Sequence, residues 1–309
     1  MSFFSRMYQK VIISIDLDMK TCRLRITYHN NKHMKQEERS YKTINADFPI
    51  EAAKYIRRIK NKYPFTYIGT MSRSANQGLI NGNKIDIFNK FGLDINALTI
   101  MLINKKWFVY ISKESIQNYK NKFNKVNGVD FIFSPFIIIY EKIKNRLEEA
   151  KKLYILQEKT STSLLVADKD GIYFGNYIIF EEDNFVDEIK ENDTKQNDTI
   201  EFDAIDDIDE NIIIKDFDKT NYEISSTGGL SELSIANHMI EIIKETLNNF
   251  YKDDRYASDF IDELLILDGY GINDNALIHL KNNTMMETHF LRIDICEEIE
   301  KLVKLELKL

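Results

Sequence analysis

Two stretches of the same design, residues 10–27 (KVIISIDLDMKTCRLRIT) and residues 152–180, open the two halves of this 309-residue chain. In the first, Val11, Ile12, Ile13 and Ile15 form an apolar run that reads as a buried strand. It ends in the polar turn Asp16-Leu17-Asp18-Met19-Lys20, and alternation resumes at Cys22, Leu24 and Ile26, so the stretch predicts a hairpin. In the second, Leu153, Ile155 and Leu156 run into Gln157-Glu158-Lys159-Thr160-Ser161, and Leu164, Leu165 and Val166 return. A turn at Asp168-Lys169-Asp170-Gly171 then leads into residues 172–180. A meander opening each half predicts a duplicated α/β fold.

Between the meanders, Glu38 to Ile44 supply a third strand, and Pro49 stands at the first turn of a helix carrying Ala52, Ala53, Tyr55, Ile56 and Ile59 on one face. Its other face carries Lys54, Arg57, Arg58, Lys60 and Lys62. Such a face is ordinarily solvated, with phosphate or anionic-lipid binding as the functional alternative. Residues 65–68 read as a strand and residues 72–82 (SRSANQGLING) as a polar surface loop. A smaller unit follows, with strands at 98–103 and 107–111, a helix at 113–124, a strand at 130–133 and an apolar helix opened by Pro135. Trp107, the only tryptophan, reads first as packing and second as a binding anchor.

In the second half, residues 230–251 predict an amphipathic helix with Leu233, Ala236, Ile240, Ile243 and Leu247 on one face. Residues 264–271 (LLILDGYG) predict a buried strand and glycine turn, with a capped helix at 276–281. A strand, glycine turn and helix start can cradle an anion.

Charge is uneven. The net charge is −7, yet residues 181–223 hold seventeen Asp and Glu against four Lys, leaving the rest of the chain positive. That segment predicts a solvated loop. It lacks the glycine and acidic spacing of an EF-hand. Cys22 and Cys296 fit no disulfide or metal framework, which favours a reducing cytosol. The longest apolar run, residues 131–140, is interrupted by Pro135 and is about half the roughly 20 residues a membrane helix needs. His29, His33, His238, His279 and His289 match no HExxH or Cys–His spacing, and no GxSxG or Walker A pattern is present. No basic patch interleaved with exposed aromatics predicts nucleic acid as a partner.

The order of parts resembles the actin-like fold, and within it the PilM/GspL family of type IV pilus and type II secretion machines. Three stretches carry the resemblance: residues 14–20 (SIDLDMK); residues 107–114 (WFVYISKE) with the following helix, Gly128 and Pro135-Phe136; and residues 264–271. The resemblance implies duplicated ribonuclease H-like halves, at 1–150 and 151–309. It also implies a small α/β subdomain inserted at about 83–128 and an acidic loop at about 181–223. It implies a nucleotide site at Asp16, Asp18, Lys20, Gly228, Gly229, Gly269 and Gly271. Members with active chemistry carry an Asp-x-Gly turn, because glycine lets amides approach phosphate and the Asp holds the metal shell. Here Asp18 stands at the glycine position, and the matching turn at Gln157-Glu158 lacks both Asp and Gly. The expectation is therefore weak or absent ATP and Mg²⁺ binding, negligible hydrolysis and no structural metal.

As implied function, the chain is a scaffold on the cytoplasmic face of an inner membrane, docking the tail of a bitopic membrane protein and an assembly ATPase. Its partner groove is expected near Ser72, Asn76, Gln77 and Trp107. The alternatives are an active actin-like ATPase or small-molecule kinase with Asp16 organising Mg²⁺, and a filament former. The resemblance leaves open a homodimer, continuation into a membrane anchor, and whether pilus, secretion or DNA uptake is served.

Overall fold

The computed structural model describes residues 9–29, 34–180, 229–256 and 258–309. The acidic segment and Gly228 lie outside the described residues.

The first meander comprises β1 (Lys10–Leu17), β2 (Thr21–His29) and β3 (Met34–Lys42), all antiparallel. After α1 (Ile50–Lys62), β4 (Phe65–Met71) returns parallel to β1, and β8 (Phe131–Phe133) lies parallel beyond it. The strand order is β3-β2-β1-β4-β8. The second meander, β9 (Lys152–Gln157), β10 (Ser161–Ala167) and β11 (Ile172–Ile179), repeats this with β12 (Glu263–Asp268) and β13 (Glu287–Arg292), in the order β11-β10-β9-β12-β13. Both sheets therefore run third, second, first, fourth, fifth, the duplicated arrangement that the two opening meanders predict.

Between β4 and β8 lies a three-stranded sheet, β5 (Gln77–Asn81), β6 (Leu98–Ile103) and β7 (Trp107–Ser112), ordered β5-β7-β6, with the short helix α2 (Ile87–Lys90) and α3 (Lys113–Lys122). Its first strand falls in the segment expected to be a surface loop and begins before the expected boundary at residue 83. Gln77, Gly78, Leu79 and Ile80 are all buried. The polar residues are accommodated because the Gln77 side chain donates to the Ser72 carbonyl (3.1 Å), and Gly78 leaves room for the Tyr110 ring of β7. β5 also stacks on β11, where a Cβ on Gly175 would run into the Leu79 side chain.

Four further α-helices lie among the described residues: α4 (Pro135–Ile143), α5 (Gly229–Lys252), α6 (Asp274–Thr284) and α7 (Ile295–Leu307). α6 and α7 carry side-chain N-caps from Asn273 and Asp294. β13 was not legible in ETHFLR, whose polar residues outnumber the apolar ones.

α7 ties the halves together. It leaves the second sheet and lies across β1, β2 and β4 of the first. Gly69 permits this approach, since a Cβ there would stand 2.6 Å from Val303 Cγ2. Arg23 pairs with Asp294, and Arg25 with Glu300 at 3.0 Å. Cys22 and Cys296 are free and buried, and burial pushes the Cys22 thiol up to about 12, so neither is poised as a nucleophile. One apolar cluster runs between the sheets through Ile12, Met71, Tyr154, Leu165 and Ile299.

Candidate functional site

The ends of β1 and β9 bring the two matching turns together. Asp16 closes β1, Glu158 follows β9, and the Thr160 hydroxyl donates to Asp18 Oδ1 at 2.8 Å, linking one turn to the other. Between them lies Arg73, just past β4. Its Nη1 donates to the Leu17 carbonyl (2.8 Å), and Nη2 donates to Asp16 Oδ1 (2.6 Å) and to Glu158 Oε1. The Arg73 amide donates to the Tyr119 hydroxyl of α3, and the Ser161 hydroxyl donates to Glu158 Oε2 at 3.0 Å. Arg73 thus links both halves through its guanidinium and reaches the inserted unit through its backbone amide.

The group is nearly closed to solvent, with side chains of Arg73, Asp16 and Glu158 at 13%, 12% and 7% exposure. Burial opposes the charge on Arg73, but Glu158 and Asp16 overcome it and hold the guanidinium firmly protonated. Burial also raises Glu158 above the usual carboxylate range; Arg73 works against that rise, and Asp16 adds to it. Burial and the Glu158 charge push the Tyr177 phenol up.

The glycine turn after β12 lies beside this cleft, because β12 pairs with β9 in a register that sets Asp268 opposite Gln157. Its amides are already used. Asp268 Oδ1 accepts from Tyr270 N (3.2 Å) and Gly271 N (2.8 Å), Oδ2 accepts from Ile272 N (3.0 Å), and Arg292 Nε approaches Oδ2 at 3.4 Å. Gly271 has φ +92°, which glycine adopts without strain. The Gly269 amide donates to the Gln157 carbonyl at 2.8 Å, and a Cβ there would stand 3.0 Å from that oxygen.

Of the residues expected to hold nucleotide, Asp16 and Asp18 therefore meet within the cleft, both already bonded. Gly269 and Gly271 lie at its edge with their amides engaged. Lys20 is exposed on the first turn, and Gly229 opens α5. These residues do not fit a triphosphate: two buried carboxylates and an internal cation fill the cleft, and a third carboxylate fills the amide cradle. No group of three His, Cys, Asp or Glu able to hold a metal occurs among the described residues.

Arg73 was the residue sequence reasoning missed. It sits in a polar stretch, and its carboxylate partners lie 57 and 85 positions away. The signal was electrostatic, since acidic residues in two turns brought face to face require a cation nearby.

The expected partner groove needs correction. Ser72 and Trp107 are each 1% exposed and Gln77 is 7% exposed, so none of the three offers a docking surface. Trp107 packs edge-on against Tyr140 with ring centroids 5.4 Å apart, in the cluster between the sheets. Asn76 alone is exposed, with its carbonyl accepting from Ser112 N at 2.9 Å.

No curated protein matches this sequence. The chain is similar to the PilM–PilN type IV pilus biogenesis complex, with TM-score 0.57 and 11% identity over 94% of this chain and 89% of the other. It is also similar to a Bacteroides thetaiotaomicron VPI-5482 protein described as having an actin-like ATPase fold and unknown function (TM-score 0.44, 11% identity, 94% of each chain). A further similar structure is the ethanolamine utilization protein EutJ from Carboxydothermus hydrogenoformans (TM-score 0.44, 8% identity, 92% and 85%). The fold is actin-like. No helix among the described residues is long and apolar enough to cross a membrane. Residues 8–140 match the family described as domain of unknown function DUF8569. Residues 153–308, half of the chain, match a second, and the chain belongs to this family, described as domain of unknown function DUF8341.

Proposed function

We propose that the chain is a non-catalytic docking scaffold whose nucleotide cleft has become a structural joint. The observation that carries this reading is Arg73, bonded to Asp16 on one half and Glu158 on the other. In an active site of this fold, backbone amides and a metal would meet phosphate there; here the positive charge is covalently part of the chain. Tying the halves together removes the opening and closing that a nucleotide cycle would drive.

The likeness to a PilM–PilN complex supports the class of partner: the cytoplasmic tail of a bitopic membrane protein, in a type IV pilus or type II secretion-like platform, with an assembly ATPase as a second partner. Under this reading the chain works at the cytoplasmic face of the membrane. Asn76, exposed where the inserted sheet joins the first, is the position to probe. With a photo-crosslinking residue in place of Asn76 in the native cells, the expected result is one adduct to a single-pass membrane protein, absent when the probe replaces exposed Lys244 on α5. No such adduct, together with Mg²⁺-dependent ATP turnover lost in Asp16→Ala, would instead support an active ATPase or kinase.

A further inference from the structure

α1 has two unlike faces. Ala52, Ala53, Ile56 and Ile59 are buried against the first sheet. The opposite stripe, at i, i+4, i+7 and i+8, is Ile50, Lys54, Arg57 and Arg58, all exposed, and Lys62 extends it. From Lys54 to Lys62 the cations span about 12 Å of helix.

Three observations single this face out. First, none of these four cations has a carboxylate partner among the described residues. On α7, by contrast, Lys301 and Lys304 both pair with neighbouring glutamates. Second, the flanks add cations: Arg39 of β3 stacks 3.9 Å from the centre of the Tyr55 ring, where Glu37 accepts from the Tyr55 hydroxyl at 2.9 Å, and Lys125 reaches the Phe48 carbonyl from the other side. Third, two apolar side chains are exposed at the first residue of the helix and in the turn that leads into it, Ile50 at 53% and Ile44 at 78% exposure.

From these we infer that the α1 face binds an anionic membrane surface directly, with Lys54, Arg57, Arg58 and Lys62 against headgroup phosphates and Ile44 and Ile50 in the headgroup layer. A nucleic acid would share the electrostatics but not the rest. Its single strands call for exposed aromatic platforms, and Tyr55 is covered by Arg39, whereas isoleucines beside the cations gain only from an apolar interface. The lipid contact needs no protein partner, so it stands or falls separately from tail docking.

The test is sedimentation of the full chain with vesicles of phosphatidylcholine alone or mixed with phosphatidylglycerol, at low and high salt. The chain should partition onto the mixed vesicles only, and salt should release it. Each cation lost should weaken partition about fivefold, so Lys54→Glu, Arg57→Glu and Arg58→Glu together should weaken it by at least about a hundredfold, while Lys244→Glu leaves it unchanged. Because these side chains are exposed, the triple variant should melt as the parent does. Ile44→Ser with Ile50→Ser should weaken vesicle partition without changing retention on heparin. No partition onto anionic vesicles, partition retained in the triple variant, or tighter binding to duplex DNA than to vesicles would each overturn the inference.

Discussion

Replacing Arg73 with alanine should destabilise the protein by about 3–5 kcal/mol, because it strands two nearly buried carboxylates that share one cation. For a protein with a stability of about 5–15 kcal/mol, that is a large share of the total. The loss should also depend on pH. Burial raises Glu158, and Arg73 partly opposes the rise, so removing Arg73 raises the folded-state value further. A carboxyl raised in the folded state binds a proton that the unfolded chain releases, and stability then grows as pH falls through the raised value. Urea unfolding should therefore show a smaller deficit for Arg73→Ala near pH 5 than near pH 8, with the gain complete below the unfolded value of about 4.3. Adding Glu158→Gln to Arg73→Ala should recover part of the loss at neutral pH. A deficit below about 1 kcal/mol, or one that grows on acidification, would show that the cluster is not a structural joint.

The second large effect is expected at Asp268, whose carboxylate accepts three backbone amides at 3% exposure. Asp268→Ala leaves those amides without an acceptor, at about 1–3 kcal/mol for each that finds no water, so a loss of roughly 3 kcal/mol or more should appear in urea unfolding. Asp268→Asn keeps an acceptor oxygen and should lose less. The alanine variant should also gain more stability from sulfate than the parent does, since its amides are freed for an external anion. Equal sulfate effects in the two proteins would mean that the turn is no anion cradle, occupied or otherwise.

Much of the fold was legible because it is carried by pattern. The run at Val11 to Ile15 and its counterpart at Leu153 to Leu156 mark the two central strands, buried on both faces. The apolar stripe through Ala236, Ile240 and Ile243 marks α5, where those residues join the core of the second half. The acidic character of the two facing turns was legible from Asp18 and Glu158. What escaped reading depends on contacts far apart in sequence. Gln77 and Gly78 look like loop residues until β7 supplies the strand that pairs them, and β13 is a strand because α6 returns the chain parallel to β12. Trp107 as a partner anchor failed for the same reason, since the element that covers it, α4, begins 28 residues later. Arg73 carries no local signal at all: only the meeting of two turns defines its place.

Whether the cleft between the halves is filled by the protein itself is tested most directly by calorimetric titration of the unmodified chain with Mg²⁺-ATP. A filled cleft should give no saturable heat and an unchanged melting temperature at millimolar nucleotide. Saturable binding, with stability rising by about 2.7 kcal/mol when nucleotide reaches 100 times its dissociation constant, would contradict it and make Arg73 a ligand contact rather than a replacement for one.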